Sequence, residues 1–241
     1  MNLEQKERLS INIIEQVLGD DVFMTFSGGK DSTVLLDLVF KAMKLHGGGK
    51  IKVIGIDTRY EFPETIVFTD KIIKKYNCVR CGPLNGQEWL DFEYIRATDT
   101  QHSLILTQYG GEDVKDGQWY CCAHKEPAMS TFLNSGKWRS WITGLRSDET
   151  EARKNVGIYQ KAKNSVLKIN PIIFWSLDEI WKYIKKRNLE VHPKYAEGYK
   201  SLGCKPCTEA GFREGRGNQS KFEDIGLSKE RAGTSECGLH V

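Results

Sequence analysis

Residues 21–57 read DVFMTFSGGKDSTVLLDLVFKAMKLHGGGKIKVIGID. Asp21 to Phe26 is a short apolar run, which predicts a buried strand. It passes directly into the polar hexapeptide Ser27-Gly28-Gly29-Lys30-Asp31-Ser32. From Thr33 to Leu45 the apolar residues recur at helical spacing, and Gly47–Gly49 closes that helix. Lys50 to Ile56 predicts a second buried strand, ending at Asp57. Strand, glycine loop, helix and strand make a βαβ unit. The expected fold is therefore α/β, a mostly parallel twisted sheet flanked by helices.

Outward from this unit, residues 3–18 carry apolar positions at helical spacing and predict an amphipathic helix. Residues 63–76 predict the next helix, and 141–145 (WITGL) another short buried strand. Ser176 to Asp178 opens a helix that runs to about Arg187, with Trp181 and Ile184 on its apolar face. After Leu202 the texture changes to glycine and charge with few aliphatics. The chain thus divides into an α/β part, 1–200, and a loop-rich tail, 201–241, laid over the sheet.

Composition narrows the class of function. With 39% hydrophobic and 28% charged residues in 241, the chain is ordinary globular protein. A net charge of +3 is too small for a nucleic-acid-coating surface and suits small anionic ligands, so no nucleic-acid partner is expected. No apolar run approaches the roughly 20 residues that span a bilayer. The first ten residues, MNLEQKERLS, hold no apolar signal core, so a cytoplasmic location without membrane association is expected.

The hexapeptide is polar where a buried strand meets a helix, and packing gives no reason for that. Its glycines let the backbone turn and bring amides against an anion. The helix start behind them adds a positive dipole end, and Ser27 and Ser32 add hydroxyls. Asp57, Thr58, Arg59, Glu64 and Thr65 follow the second strand, where ligands of open parallel sheets sit. Gly144 and Arg146 follow another short strand, and a guanidinium there can grip phosphate or sulfate oxygens through a bidentate fork. All of Ser27, Gly28, Gly29, Lys30, Asp31, Ser32, Asp57, Thr58, Arg59, Glu64, Thr65, Gly144 and Arg146 are candidate substrate-binding residues.

Seven cysteines are clustered at 78, 81, 121, 122, 204, 207 and 237. In a reducing compartment such clusters bind metal or do redox chemistry more often than they form structural disulfides. Cys121, Cys122, Cys204 and Cys207 offer four thiolates, which suit tetrahedral zinc or a four-iron cluster. Adjacent cysteines are awkward for a zinc knuckle and fit a bulky cluster better. Cys78-Val-Arg-Cys81 is either a structural pair of thiols or a second metal or disulfide pair.

The loop resembles that of the adenine-nucleotide α-hydrolase superfamily, in the form closest to ATP pyrophosphatases. Ser201-Leu-Gly-Cys204-Lys-Pro-Cys207-Thr208 is similar to the SIGCxPCT segment of cluster-containing sulfonucleotide reductases. Asn170-Pro171, Trp175-Ser-Leu-Asp178-Glu-Ile-Trp181, His192-Pro193 and Gly198-Tyr199 precede it as in that family. The chain ends in Glu236-Cys237-Gly238-Leu239-His240, which resembles the family's catalytic signature. The resemblance implies a [4Fe-4S] cluster held by Cys121, Cys122, Cys204 and Cys207. It implies Cys237 as the nucleophile toward the sulfate of an adenylylated sulfate, APS or its 3′-phosphorylated form PAPS. Lys125, Arg213, Arg216 and His240 would be the cations around it. Thioredoxin or a similar dithiol would be the reductant, and a homo-oligomer is expected. Lys30 and Arg59 add positive charge that favours the 3′-phosphate of PAPS. The competing reading is an ATP pyrophosphatase-type sulfur-transfer enzyme for tRNA thiolation or DNA sulfur modification.

Overall fold

The computed structural model describes residues 1–78, 89–108, 114–115, 118–119, 124–135, 137–162, 165–205, 208 and 210. Helix α1 (Leu3–Glu15) is capped by Asn2, whose side chain accepts from Gln5 N–H while the Gln5 side chain answers the Asn2 amide. Strand β1 (Val22–Thr25) leads into α2 (Lys30–Leu45), then β2 (Ile51–Ile56), α3 (Pro63–Tyr76) and β3 (Leu90–Ile95). Next come α4 (Asp99–Gln108), the two-residue strands β4 (Val114–Lys115) and β5 (Gln118–Trp119), and α5 (Lys125–Leu133). Strands β6 (Ser140–Ile142), β7 (Tyr159–Lys161) and β8 (Leu167–Ile169) precede α6 (Leu177–Arg187).

The main sheet has the order β3-β2-β1-β6-β8-β7. All neighbours are parallel except β7, which pairs antiparallel with β8 at the edge. The expected mostly parallel α/β sheet is therefore present. Its central strands β1 and β6 are buried on both faces because both faces are covered. Val22 and Met24 of β1 point to one core with Val34, Leu38, Phe68, Ile72, Ile180 and Tyr183. Phe23, between them, points to the other, with Ala128, Met129 and Leu133 of α5 and with Trp141. Helices α1, α2, α3 and α6 thus cover one face and α5 the other. Helix α4 is tied to α5 by Gln101 Nε2 donating to Thr131 Oγ1 at 3.2 Å.

The chain steps outward from β1 to β2 and β3, then returns as β6 on the opposite side of β1. The order reverses between β1 and β6, and the crevice beyond their carboxyl ends is where an open α/β sheet takes its ligand.

Four local expectations change. The first helix ends at Glu15 rather than Leu18. Helix α2 begins at Lys30, three residues before the apolar periodicity starts, because Gly29 takes the N-cap position. Strand β6 ends at Ile142; the Thr143 amide still donates to the Ile169 carbonyl at 2.8 Å, and Thr143 Oγ1 donates to Asn170 Oδ1 at 2.5 Å. Trp181 is not part of the α6 core face. Ile180, Tyr183 and Ile184 are buried, while Trp181 remains 36% exposed and meets the Tyr195 ring edge-on.

Candidate active site

The loop between β1 and α2 needs a left-handed residue, and Gly28 supplies it at φ 73°. Ser27 Oγ and Ser32 Oγ lie 3.2 Å apart across the turn. Ser32 Oγ and Thr33 Oγ1 both donate to the Gly29 carbonyl at 2.9 Å, which fixes the loop onto the first turn of α2. The amide of Lys30 donates to the Tyr195 hydroxyl at 2.9 Å. Because α2 starts at Lys30, Lys30, Asp31 and Ser32 make the first helical turn, where the dipole is positive.

Across the crevice, Arg146 of the segment after β6 is 1% exposed. Its Nε stands 2.7 Å from Asp31 Oδ1 as an ion pair, but the two atoms are too poorly aligned to count as a hydrogen bond. Its Nη1 meets Asp148, whose other oxygen accepts the Leu177 amide at 2.9 Å. Gly144 lies against the start of α2: a β-carbon there would be 3.4 Å from the backbone of Asp31 and Ser32, in van der Waals contact. Asn170 steadies the wall, accepting from Thr143 and donating through Nδ2 to the Gly157 carbonyl at 2.9 Å. Arg146 is thus a buried cation braced by two aspartates, not a solvated surface arginine.

Lys30 is 4% exposed and its Nζ pairs with Asp31 Oδ2 at 3.0 Å. Arg59 Nη2 donates to Asp99 Oδ1 at 2.7 Å. Both cations expected to favour a 3′-phosphate already hold carboxylates, and Lys30 does so inside the protein. Arg59 sits at φ 68°, where glycine is preferred, with its amide donating to Asp57 Oδ1 at 2.7 Å.

The segment after β2 reaches two further structures. Thr58, fully buried, donates to Glu61 Oε1 at 2.9 Å and lies 3.2 Å from Cys204 Sγ. The Tyr60 carbonyl accepts the Lys205 amide at 2.8 Å, and the Tyr60 ring stands 6.2 Å from the ring of His124. Thr65 meets His192 Nε2 at 3.1 Å, and Glu64 pairs with Lys194 at 3.1 Å. A hydrogen bond to the Glu64 backbone, and then contact with Lys194, hold the Glu64 carboxyl below its ordinary pKa.

Cys204 is a free thiol, 2% exposed. Of the four expected cluster ligands it alone is among the described residues; Cys121, Cys122 and Cys207 lie outside them. No group of three or more metal-binding side chains is present among the described residues. Lys125 opens α5, directly after His124. Cys237, His240, Arg213 and Arg216 lie outside the described residues, as does Cys81, while Cys78 is exposed just beyond α3.

The structure therefore joins the loop 27–32, the 57–65 segment and the 144–148 segment around one crevice. It adds His192, Lys194 and Tyr195, which the sequence reading did not assign to the site. Only the spacing of His192-Pro193 beside a glycine-tyrosine pair hinted at them.

Comparison with known proteins agrees with this geometry. A family model described as phosphoadenosine phosphosulfate reductase domain matches residues 21–210. The phosphoadenosine 5′-phosphosulfate reductase of Buchnera aphidicola (subsp. Acyrthosiphon pisum, strain 5A) is 31% identical over 99% of this chain and 87% of its own length. The adenosine 5′-phosphosulfate reductase of Anoxybacillus flavithermus is 25% identical over 92% and 84%. The crystal structure of phosphoadenylyl-sulfate reductase from Candida auris superposes with a TM-score of 0.58 at 18% identity, covering 86% of this chain and 96% of that one, and shares the fold. No described helix is long and apolar enough to cross a membrane. With the family match running from the start of β1 to beyond Cys204, this chain belongs to the phosphoadenosine phosphosulfate reductase family.

Proposed function

We propose that this chain reduces an adenylylated sulfate, APS or PAPS, to sulfite with AMP or adenosine 3′,5′-bisphosphate as the other product. The observation that carries the reading is the junction at Asp31. There the glycine loop at the positive end of α2 meets Arg146, a buried cation, at the point where the strand order reverses. Such a junction binds and orients the phosphosulfate without doing chemistry on it. The family match outweighs the ATP pyrophosphatase reading, which rested on the loop alone.

In this proposal Cys237 is the nucleophile. Its thiolate forms a bond to the sulfate sulfur as the sulfur–oxygen bond to the nucleotide phosphate breaks, leaving an S-sulfocysteine. A thioredoxin thiolate then attacks the Cys237 sulfur, and sulfite departs with the electron pair. The resulting mixed disulfide is resolved by the second thiol of thioredoxin. Lys125, Arg213, Arg216 and His240 offset the repulsion between thiolate and sulfate oxygens. Cys237, in the tail 201–241, meets the substrate in the first step and thioredoxin in the second.

The residues suit an iron–sulfur cluster. The peptide after Cys204 is bonded to Tyr60, and His124, two residues beyond Cys122, packs against the same tyrosine. Two cysteine-bearing segments thus converge on one residue, and Cys121, Cys122, Cys204 and Cys207 would hold the cluster. When bound, it would supply a local electrostatic field beside the sulfate. In the test, sulfite release is followed with APS and PAPS in parallel, with thioredoxin as reductant. Wild-type protein should turn over, and Cys237→Ser should lose release by several orders of magnitude while nucleotide affinity stays near wild type. Turnover retained by Cys237→Ser would remove the mechanism.

A further inference from the structure

On charge alone, the loop of this protein would favour the wrong nucleotide. The positive end of the α2 dipole attracts the most anionic phosphate chain available, and ATP carries more negative charge than an adenylyl sulfate. Something in the loop has to act against the triphosphate.

We infer that Tyr195 is a specificity-determining residue, a fixed plug over the α2 end of the loop that excludes the triphosphate of ATP while leaving room for a phosphosulfate. The inference rests on the reading of this loop as the anion seat of a sulfonucleotide reductase. Its first support is position. The Tyr195 hydroxyl takes the amide of Lys30, 2.9 Å away, the first N–H of α2, which a terminal phosphate would otherwise use. A β-carbon at Gly29 would lie 3.6 Å from that hydroxyl, so the tyrosine stands against the glycine turn itself.

The second support is rigidity, without which a plug would swing aside. Tyr195 ends a 3₁₀ turn, Pro193–Tyr195, and two side chains of that turn and the one that caps it all grip the loop and the 57–65 segment. His192 Nε2 meets Thr65 at 3.1 Å, Lys194 pairs with Glu64 at 3.1 Å, and Tyr195 itself holds Lys30. The Trp181 ring backs the Tyr195 ring edge-on at 5.3 Å between centroids. This also explains why Trp181 leaves the α6 core. Burial pushes the Tyr195 phenol pKa well above its ordinary value, so the plug stays neutral and keeps a hydroxyl that accepts the amide.

Calorimetric titration of the full chain with ATP, inorganic pyrophosphate and adenylyl sulfate tests the inference in wild type, Tyr195→Phe and Tyr195→Ala. Tyr195→Ala should tighten ATP and pyrophosphate by about tenfold or more relative to adenylyl sulfate, the change one charge-assisted hydrogen bond commands. Tyr195→Phe frees the Lys30 amide but keeps the ring in place, so it should shift that ratio less than Tyr195→Ala does. Tyr195→Leu, which retains an apolar body against Trp181, serves if the alanine variant does not fold. An unchanged ratio in the alanine and leucine variants would overturn the plug. So would a loss of adenylyl sulfate binding in the phenylalanine variant, which would make the hydroxyl a substrate donor. Failure of the wild type to bind adenylyl sulfate at all would instead strike the proposed function, while the ATP titrations still decide the role of Tyr195.

Discussion

His192 shows how one side chain joins distant parts of the site. It is fully buried. Its Nδ1 accepts the Lys194 amide at 3.2 Å, so Nε2 carries the proton and donates to Thr65 Oγ1 at 3.1 Å. Burial holds its pKa below the ordinary value, against the pull of the Glu64 carboxylate and with the help of Lys194. The folded state therefore keeps the ring neutral at pH values where the unfolded chain has begun to protonate it. Between the unfolded value of about 6.5 and the lower folded value, the unfolded chain binds more protons. Stability from this group is thus complete above about pH 6.5 and is lost as the pH falls. Thermal unfolding followed from pH 7.5 downward should show the midpoint dropping below about pH 6.5. His192→Gln, which keeps a donor near the Nε2 position but cannot titrate, should flatten that drop. An equally steep decline in the variant would assign the acid sensitivity to other groups.

At the level of elements, local signals were strong where the chain carried its own caps. Ser176 Oγ accepts the Glu179 amide at 3.3 Å while Glu179 Oε2 accepts the Ser176 amide at 2.7 Å, a reciprocal box legible from Ser176 and Glu179. Glu179 also pairs with Lys6 at 2.7 Å, which ties the start of α6 to α1. Ser176→Ala should cost about 1 kcal/mol and Ser176→Gly only a few tenths. In a chain of this size, 1 kcal/mol is on the order of 2–4 °C in Tm, measurable by calorimetry. Equal losses for alanine and glycine would mean that the cap is not the source. Helix α2 was harder to place. Its apolar stripe begins at Thr33, but the helix begins at Lys30, because Gly29 and the hydroxyls of Ser32 and Thr33 organise a first turn that has no apolar residue to announce it.

At the scale of the whole molecule, the loops that matter come from strands far apart in sequence but adjacent in the sheet. Tyr60 accepts the amide next to Cys204 and packs near His124, bringing together segments separated by more than half the chain. If the convergence serves a cluster, anaerobically purified protein should be brown and hold about four irons per chain. Cys204→Ala should lose the iron and the colour, whereas Cys78→Ala should keep both. Metal analysis and visible absorption decide the matter, and stoichiometric zinc without iron would reject the cluster. A Cys204→Ser variant with native thermal unfolding but no iron would separate loss of a ligand from loss of the fold.

The sequence by itself determined the α/β class, the phosphate loop, the order of the central βαβ unit and the family resemblance. Each of these depends on residues close together along the chain: apolar runs, glycine turns and short motifs. Only the tertiary structure decided which charges are available. Lys30 and Arg59 read as two cations awaiting a phosphate, yet Asp31 and Asp99 hold them, and Asp99 lies 40 residues from Arg59. Tyr195 carries no local mark of its place over a loop 165 residues earlier. Ion pairs and hydrogen bonds depend on distance in space, and that distance is set by strand order, which no local pattern encodes.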